Sequence, residues 1–246
     1  MQPFRTSEEE LKPLIREAAR IARILWERGW AERNAGNISV NLGRGCFLIT
    51  VTGSRMRDLA EDPVPFLCKV ETEKEGGARK VFALKQSVIV KPTSELDSHL
   101  AIHRMIEERG SAERAIIHAH PTELIALTLV REFQDEAALN RILPAMYAEC
   151  AEFLTRGVGY LPYRISGNRE IAEATLQKFK ERDIVLWGKH GVMAAGKSLD
   201  DAFDRIDMLN KAAAIFLMLK QAGFEPDGLG EAEVKALRER ARSLGL

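Results

Sequence analysis

Short extended runs and amphipathic stretches alternate along this chain, and no Pro/Gly/Ser-rich linker or internal repeat interrupts them. Such a chain must lay helices against a sheet, because strands bury a face and helices bury a stripe. Leu14, Ala18, Ile21 and Leu25 keep helical spacing, and Gly29 marks a stop. Ser7 and Glu10 have capping-box spacing, but Pro13 follows closely, so the first turn is expected to stand apart from the main helix. Ile38–Leu42 and Cys46–Val51 read as strands, and Phe66–Glu73 with Val81–Gln86 as a hairpin around Gly76-Gly77. A helix is expected after Ser94 at the N-cap, with Asp97 at N3, running to about Glu108.

Farther on, Arg114–His120 reads as a strand and Pro121 opens a helix. Val158–Leu161 and Ile184–Trp187 read as strands flanking a helix over Arg169–Lys180. Phe203, Ile206, Leu209 and Ala213 give the period of a long helix, Leu199–Ala222, before a short amphipathic tail, Glu231–Leu244. The expectation is one α/β domain over residues 1–246 with a mixed sheet.

Composition narrows the function classes. Lys plus Arg number 36 against 36 Asp plus Glu, a balance that argues against a nucleic-acid binder or an anionic membrane surface. Cys46, Cys68 and Cys150 form no CxxC, which suits a reducing compartment. The N-terminus lacks the basic start and apolar stretch of a signal peptide, and the longest apolar run, Ala212–Leu219, is too short to span a membrane. A soluble cytoplasmic protein is expected.

The strongest chemical signal is His118-Ala119-His120. Residues two apart in a strand project from one face, so both imidazoles point one way while Ala115, Ile117 and Ala119 face a core. Two adjacent imidazoles suit a borderline metal such as zinc, and Gly-flanked His190 is the candidate third ligand. The alternative is that each is a hydrogen-bonded structural histidine. His99 and His103, four apart on a helix, share a face but lack the HExxH pattern, so packing or a supporting role is their reading. Glu95, at a helix start, reads as a macrodipole partner, a fourth ligand or a general base. Ala35-Gly36-Asn37, Thr52-Gly53-Ser54 and Thr93-Ser94 offer N–H groups and hydroxyls to an oxyanion; singly, each is also an ordinary turn or cap.

Glu32–Asn37, Val51–Ser54, Pro92–Glu95, His118–His120 and His190–Val192 occur in that order. Together they resemble the zinc-dependent class II aldolase/adducin-head family, over about residues 15–223 and more loosely through the helical tail, 224–246. Gly29–Asn37, Leu124–Thr128, Gly157–Gly159 and Asp183–Trp187 are most similar to its rhamnulose-phosphate aldolase branch. That resemblance implies a three-layer α/β/α sandwich around a mixed, mostly antiparallel sheet. It implies reversible cleavage of L-rhamnulose 1-phosphate to dihydroxyacetone phosphate and L-lactaldehyde. His118, His120 and His190 would hold one Zn2+ per subunit, with Glu95 as catalytic base.

Asn34, Gly36, Asn37, Thr52, Gly53, Ser54, Thr93 and Ser94 match the family's phosphate-binding region. Glu149 aligns with a glutamate that assists proton transfer from a neighbouring subunit; read alone it is an exposed helix-end carboxylate. The resemblance also implies a homotetramer with sites at subunit interfaces. The family's rival activities are fuculose-phosphate cleavage, ribulose-phosphate 4-epimerisation and methylthio-sugar-phosphate dehydration. The 4-epimerase branch places an aspartate where this chain has Glu95. A metal-free adducin-like module should lack the three histidines, which are all here.

Overall fold

The computed structural model describes residues 8–72, 79–84 and 89–245. Ser7 of the expected capping box and the Gly76-Gly77 turn lie outside them.

Among the described residues, eight strands form one sheet in the order β4-β3-β2-β1-β5-β8-β7-β6. They are β1 (Asn37–Gly43), β2 (Cys46–Thr50), β3 (Leu67–Thr72), β4 (Arg79–Ala83), β5 (Ala115–Ala119), β6 (Val158–Leu161), β7 (Ile184–Trp187) and β8 (Gly191–Gly196). Of the strand pairs among the described residues, β6–β7 is parallel and the others are antiparallel. The sheet is therefore mixed and mostly antiparallel, with helices on both faces, as expected.

The pleat sorts the core by residue parity. Ala115, Ile117 and Ala119 of β5, Ile184 and Leu186 of β7, and Val192 and Ala194 of β8 join the larger core cluster. There they meet Ala18, Ile21 and Leu25 of α1 (Glu8–Glu27), Leu124 and Leu127 of α4 (Thr122–Leu129), and Phe203, Ile206 and Leu209 of α8 (Leu199–Gln221). The intervening residues, Ile116, Val185, Trp187, Met193 and Ala195, meet Ile102 and Ile106 of α3 (Leu96–Glu108) and Ile171 and Phe179 of α7 (Arg169–Phe179). His118 has the parity of Ile116, so it faces the α3–α7 side at the end of its strand.

Four details differ from the expectations. Pro13 lies inside a continuous α1, because in the second turn it forfeits a single amide hydrogen bond. The N-cap of α3 is Glu95, one residue beyond Ser94; the Thr93 hydroxyl accepts the Glu95 N–H at 3.3 Å, and no side chain caps the helix from Ser94. Pro121 is the N-cap of α4 and its first helical residue is Thr122. Strand β8 follows His190 directly and closes a hairpin with β7; its Gly- and Ala-rich sequence carries little strand signal. The short helices α2 (Met56–Glu61), α5 (Glu136–Ile142) and α6 (Ala148–Phe153) are too brief to show a period, while α9 (Glu231–Leu244) is the expected tail. Gly29 ends α1 at φ +69°, with its N–H on the Trp26 carbonyl and the Trp30 N–H on Leu25. No helix among the described residues is long and apolar enough to cross a membrane.

Candidate metal centre

Three chain segments converge at the end of β5. The His120 N–H donates to the Trp30 carbonyl at 2.8 Å, which lays the loop after α1 over the strand end. The β7–β8 turn delivers His190: Lys189 takes φ +61°, and the His190 N–H closes the turn on the Trp187 carbonyl at 3.0 Å. Only glycine fits at position 191, because a Cβ would come within 2.5 Å of the Ala119 carbonyl oxygen and 2.8 Å of the His120 ring. The third segment, residues 91–95, runs along the end of β2. The Thr52 N–H bonds the Lys91 carbonyl at 2.8 Å, and the Thr93 N–H bonds the Thr50 carbonyl at 2.9 Å. Those bonds bring the Thr52-Gly53-Ser54 turn beside Thr93-Ser94-Glu95.

The resulting cavity, of about 140 Å3, is lined by Asn34, Gly36, Asn37, all of Thr52–Ser54, all of Thr93–Glu95, and His118, His120 and His190. Among the described residues, no lysine or arginine lines it. All the sequence-predicted site residues meet here except Glu149, which is exposed in the first turn of α6 and does not line the cavity of its own chain.

One nitrogen from each of His118, His120 and His190 lies within 4.8 Å of the others. The His118 Nδ1–H donates to the Val192 carbonyl at 2.9 Å, and the His120 Nδ1–H to the Glu32 carboxylate at 3.1 Å. Both Nε2 atoms are then bare lone pairs, facing each other across 3.1 Å. Two lone pairs at that distance repel unless a cation lies between them. The separation is close to the about 3.3 Å expected for neighbouring nitrogens of a tetrahedral zinc site. Burial holds His118 well below the usual imidazole range, and burial together with His120 brings His190 down to about 4. Neutral imidazole is the form that binds metal, and the donor set fits one.

Glu95 is 7% exposed, with Oε1 3.7 Å from His118 Nε2 and Oε2 accepting the Asn37 amide N–H at 2.8 Å. Burial raises its carboxyl to about 7, against the Asn37 hydrogen bond, which lowers it. Such a group exchanges a proton readily near neutrality. Trp187 packs on the His118 ring at 4.8 Å between centroids.

Among the oxyanion-binding candidates, Asn34, Thr52, Gly53 and Ser94 are exposed. The Asn37 carboxamide is engaged at both ends within the chain, and the Ser54 hydroxyl donates to the Val51 carbonyl at 2.6 Å. Gly36 adopts φ +77°, where an added Cβ would lie 3.1 Å from the His118 carbonyl oxygen. Sequence reasoning assigned no role to Glu32 or Ser39: Glu32 holds His120, and Ser39 lies between His99 and His103, of which His99 meets Asn37. Glu32 follows a loop signal at Gly29, but its contact with His120 is a product of the fold.

Residues 16–217 match the sequence family described as class II aldolase and adducin N-terminal domain. A rhamnulose-1-phosphate aldolase of Bacteroides thetaiotaomicron is 35% identical, covering 91% of this chain and 92% of that one. Its counterpart in Listeria welshimeri is 31% identical over 93% and 91%. The crystal structure of a sugar-phosphate aldolase from Thermotoga maritima superposes with a TM-score of 0.78 at 33% identity, covering 88% of this chain and 98% of that one. With a family match across most of its length, and aldolases of this similarity among its relatives, the chain belongs to the class II aldolase and adducin family, as one of its lyases.

Proposed function

We propose that this chain is a zinc-dependent aldolase that reversibly cleaves L-rhamnulose 1-phosphate into dihydroxyacetone phosphate and L-lactaldehyde. The observation that carries this reading is the pair of facing Nε2 lone pairs, 3.1 Å apart beside a buried carboxylate. The 35% identity to an aldolase of that name supports the choice of substrate.

His118, His120 and His190 would hold the zinc, one ion per subunit. Bound there, zinc supplies Lewis-acid chemistry, stabilising the negative charge that builds on the ketone side as the C3–C4 bond breaks. Three neutral ligands leave that positive charge undiminished. Glu95 moves the proton at the carbon adjacent to the carbonyl, from a position beside His118 where the Asn37 amide holds its other oxygen. Asn34, Gly36, Asn37, Thr52, Gly53, Ser54, Thr93 and Ser94 frame the phosphate: exposed Asn34, Thr52, Gly53 and Ser94 face it, while Asn37, Ser54 and Thr93, hydrogen-bonded within the chain, shape the frame. Glu149 serves a neighbouring subunit's site in a homotetramer, which is consistent with its exposure and its absence from its own cavity. Cys46, Cys68 and Cys150 are buried and none is in a disulfide, which suits a cytoplasmic enzyme.

The test is release of dihydroxyacetone phosphate by zinc-loaded protein from rhamnulose 1-phosphate and fuculose 1-phosphate, with ribulose 5-phosphate followed for epimerisation. The expected result is a kcat/KM for rhamnulose 1-phosphate at least about 10-fold above the others, a gap of ~1.4 kcal/mol. Stoichiometric zinc with none of the three processed sinks the substrate assignment. Absence of zinc after gentle preparation removes the mechanism.

A further inference from the structure

His99 and His103 are fully buried and stand at four-residue intervals after Glu95, on the face of α3 that meets the sheet. Opposite them, Asn37 and Ser39 alternate on β1. Four residues of helix rise about 6 Å and two residues of strand about 6.7 Å, so the two rows mesh. His103 Nε2 lies 2.8 Å from the Ser39 hydroxyl, which lies 2.6 Å from His99 Nδ1. His99 Nε2 meets Asn37 Oδ1, and Asn37 Nδ2 reaches Glu95 Oε2 at 2.8 Å. The row runs unbroken from the interior to the cavity.

Its hydrogens can be assigned by counting. A hydroxyl has one proton, so Ser39 donates to one imidazole and accepts from the other. Burial, with no carboxylate beside either ring among the described residues, keeps both imidazoles neutral with one N–H each. Only two polarities satisfy the row. In the first, His103 donates to Ser39, Ser39 to His99, His99 to the Asn37 carbonyl, and the Asn37 amide N–H to a Glu95 carboxylate. In the second every bond reverses, Asn37 turns its carbonyl towards Glu95, and Glu95 must be a carboxylic acid to donate.

The deep end decides between them. His103 Nδ1 is buried without a partner, and Phe47 packs against the ring at 5.2 Å between centroids. The first polarity leaves a bare lone pair there. The second leaves an unpaired buried N–H, the rarer and costlier defect.

We propose that His103, Ser39 and His99 are positioning residues that lock the Asn37 carboxamide with its N–H towards Glu95, holding that carboxyl group in place. The catalytic half of the proposal rests on Glu95 being the base; the locked amide does not.

The test reads the ring nitrogens directly, by long-range 15N–1H correlation in histidine-labelled protein with and without zinc, the His103 signals being identified by their loss in His103→Gln. Neutral rings with the proton on Nε2 are expected for both His99 and His103. A proton on Nδ1 of either ring overturns the polarity. In turnover of rhamnulose 1-phosphate, Ser39→Ala should lower kcat about 10-fold, with KM and zinc content unchanged, and Ser39→Thr should restore most of the loss. Wild-type kcat in Ser39→Ala overturns the positioning role. If the wild-type protein cleaves no sugar phosphate, the aldolase reading fails, and the tautomers still decide for or against the locked amide.

Discussion

Two groups of histidine lie on the same side of the sheet, and their surroundings are opposite. His118, His120 and His190 open into a cavity; His99 and His103, a few residues away, are sealed beneath α3. Spacing does not separate them, since two apart on a strand and four apart on a helix each put rings on one face. The difference is where the second nitrogen goes. In the open group, His118 and His120 each spend Nδ1 on a protein oxygen, which leaves Nε2 bare towards the cavity. In the sealed pair both nitrogens of His99 and one of His103 are used by neighbours, so no converging lone pairs remain. A histidine cluster binds metal when the fold ties down one nitrogen of each ring and leaves open space before the other.

Removing one ring from each group is the severest test of that contrast. His118→Ala should abolish stoichiometric zinc and lower aldol cleavage by on the order of 10³-fold or more, the several kcal/mol a Lewis acid contributes. His103→Gln should retain zinc at wild-type stoichiometry. Metal analysis of both purified variants checks this, and zinc loss in His103→Gln would erase the distinction between the groups. A somewhat smaller effect is expected at the carboxylate that touches both groups. Glu95→Gln should keep its zinc yet lose about 10²- to 10⁴-fold in kcat, the range for a positioned acid–base group. Near-normal turnover would remove Glu95 from the mechanism.

How much of this was legible in the sequence depends on the scale of the signal. The strands at Val158–Leu161 and Ile184–Trp187 and the long α8 announce themselves by apolar runs and period. The open histidines were legible because His-Ala-His on a strand and a histidine before glycine are local patterns. Strand β8 was not, since Gly191–Gly196 is poor in β-branched residues and its strand character comes from pairing with β5 and β7 on either side. The N-cap of α3 slipped by one residue because tertiary bonds from Thr93 to β2 outweigh the local preference for Ser94. The sealed pair had a signal, Glu95, His99 and His103 at four-residue steps with Asn37 and Ser39 two apart. That signal becomes meaningful only once β1 is known to lie under α3.

Acid should expose the sealed pair even without metal. Burial lowers His99 to about 3 and places His103 well below the ordinary value of 6.5. Above pH 6.5 each ring is neutral in both the folded and unfolded states and contributes nothing. Below it, the unfolded chain takes a proton that the folded one refuses, so stability falls as pH drops towards the folded value. Each such ring costs about 1.4 kcal/mol per pH unit, or ~2 kcal/mol at pH 5. In metal-free protein His118 and His190 add to the slope for the same reason. Denaturant titrations at pH 7, 6 and 5 should therefore show stability falling, with a shallower fall when His99 and His103 are both glutamine. An unchanged slope would mean that the pair takes up protons as readily in the fold as in the unfolded chain.

The gentlest perturbation acts on the open group from outside. Glu32 holds His120 in its Nδ1–H tautomer, but the carboxylate is 65% exposed, whereas His118 gets the same service from the buried carbonyl of Val192. Water can replace an exposed acceptor and cannot replace a buried one. Glu32→Ala should therefore weaken zinc binding by about 10-fold, the low end for loss of an outer partner, and leave zinc stoichiometry intact at saturating metal. Competition against a chromophoric chelator measures the affinity. A loss approaching that of His118→Ala would mean that water does not take over and that the carboxylate itself holds the tautomer. An unchanged affinity would mean that the His120 ring is oriented by its backbone bond to Trp30 alone.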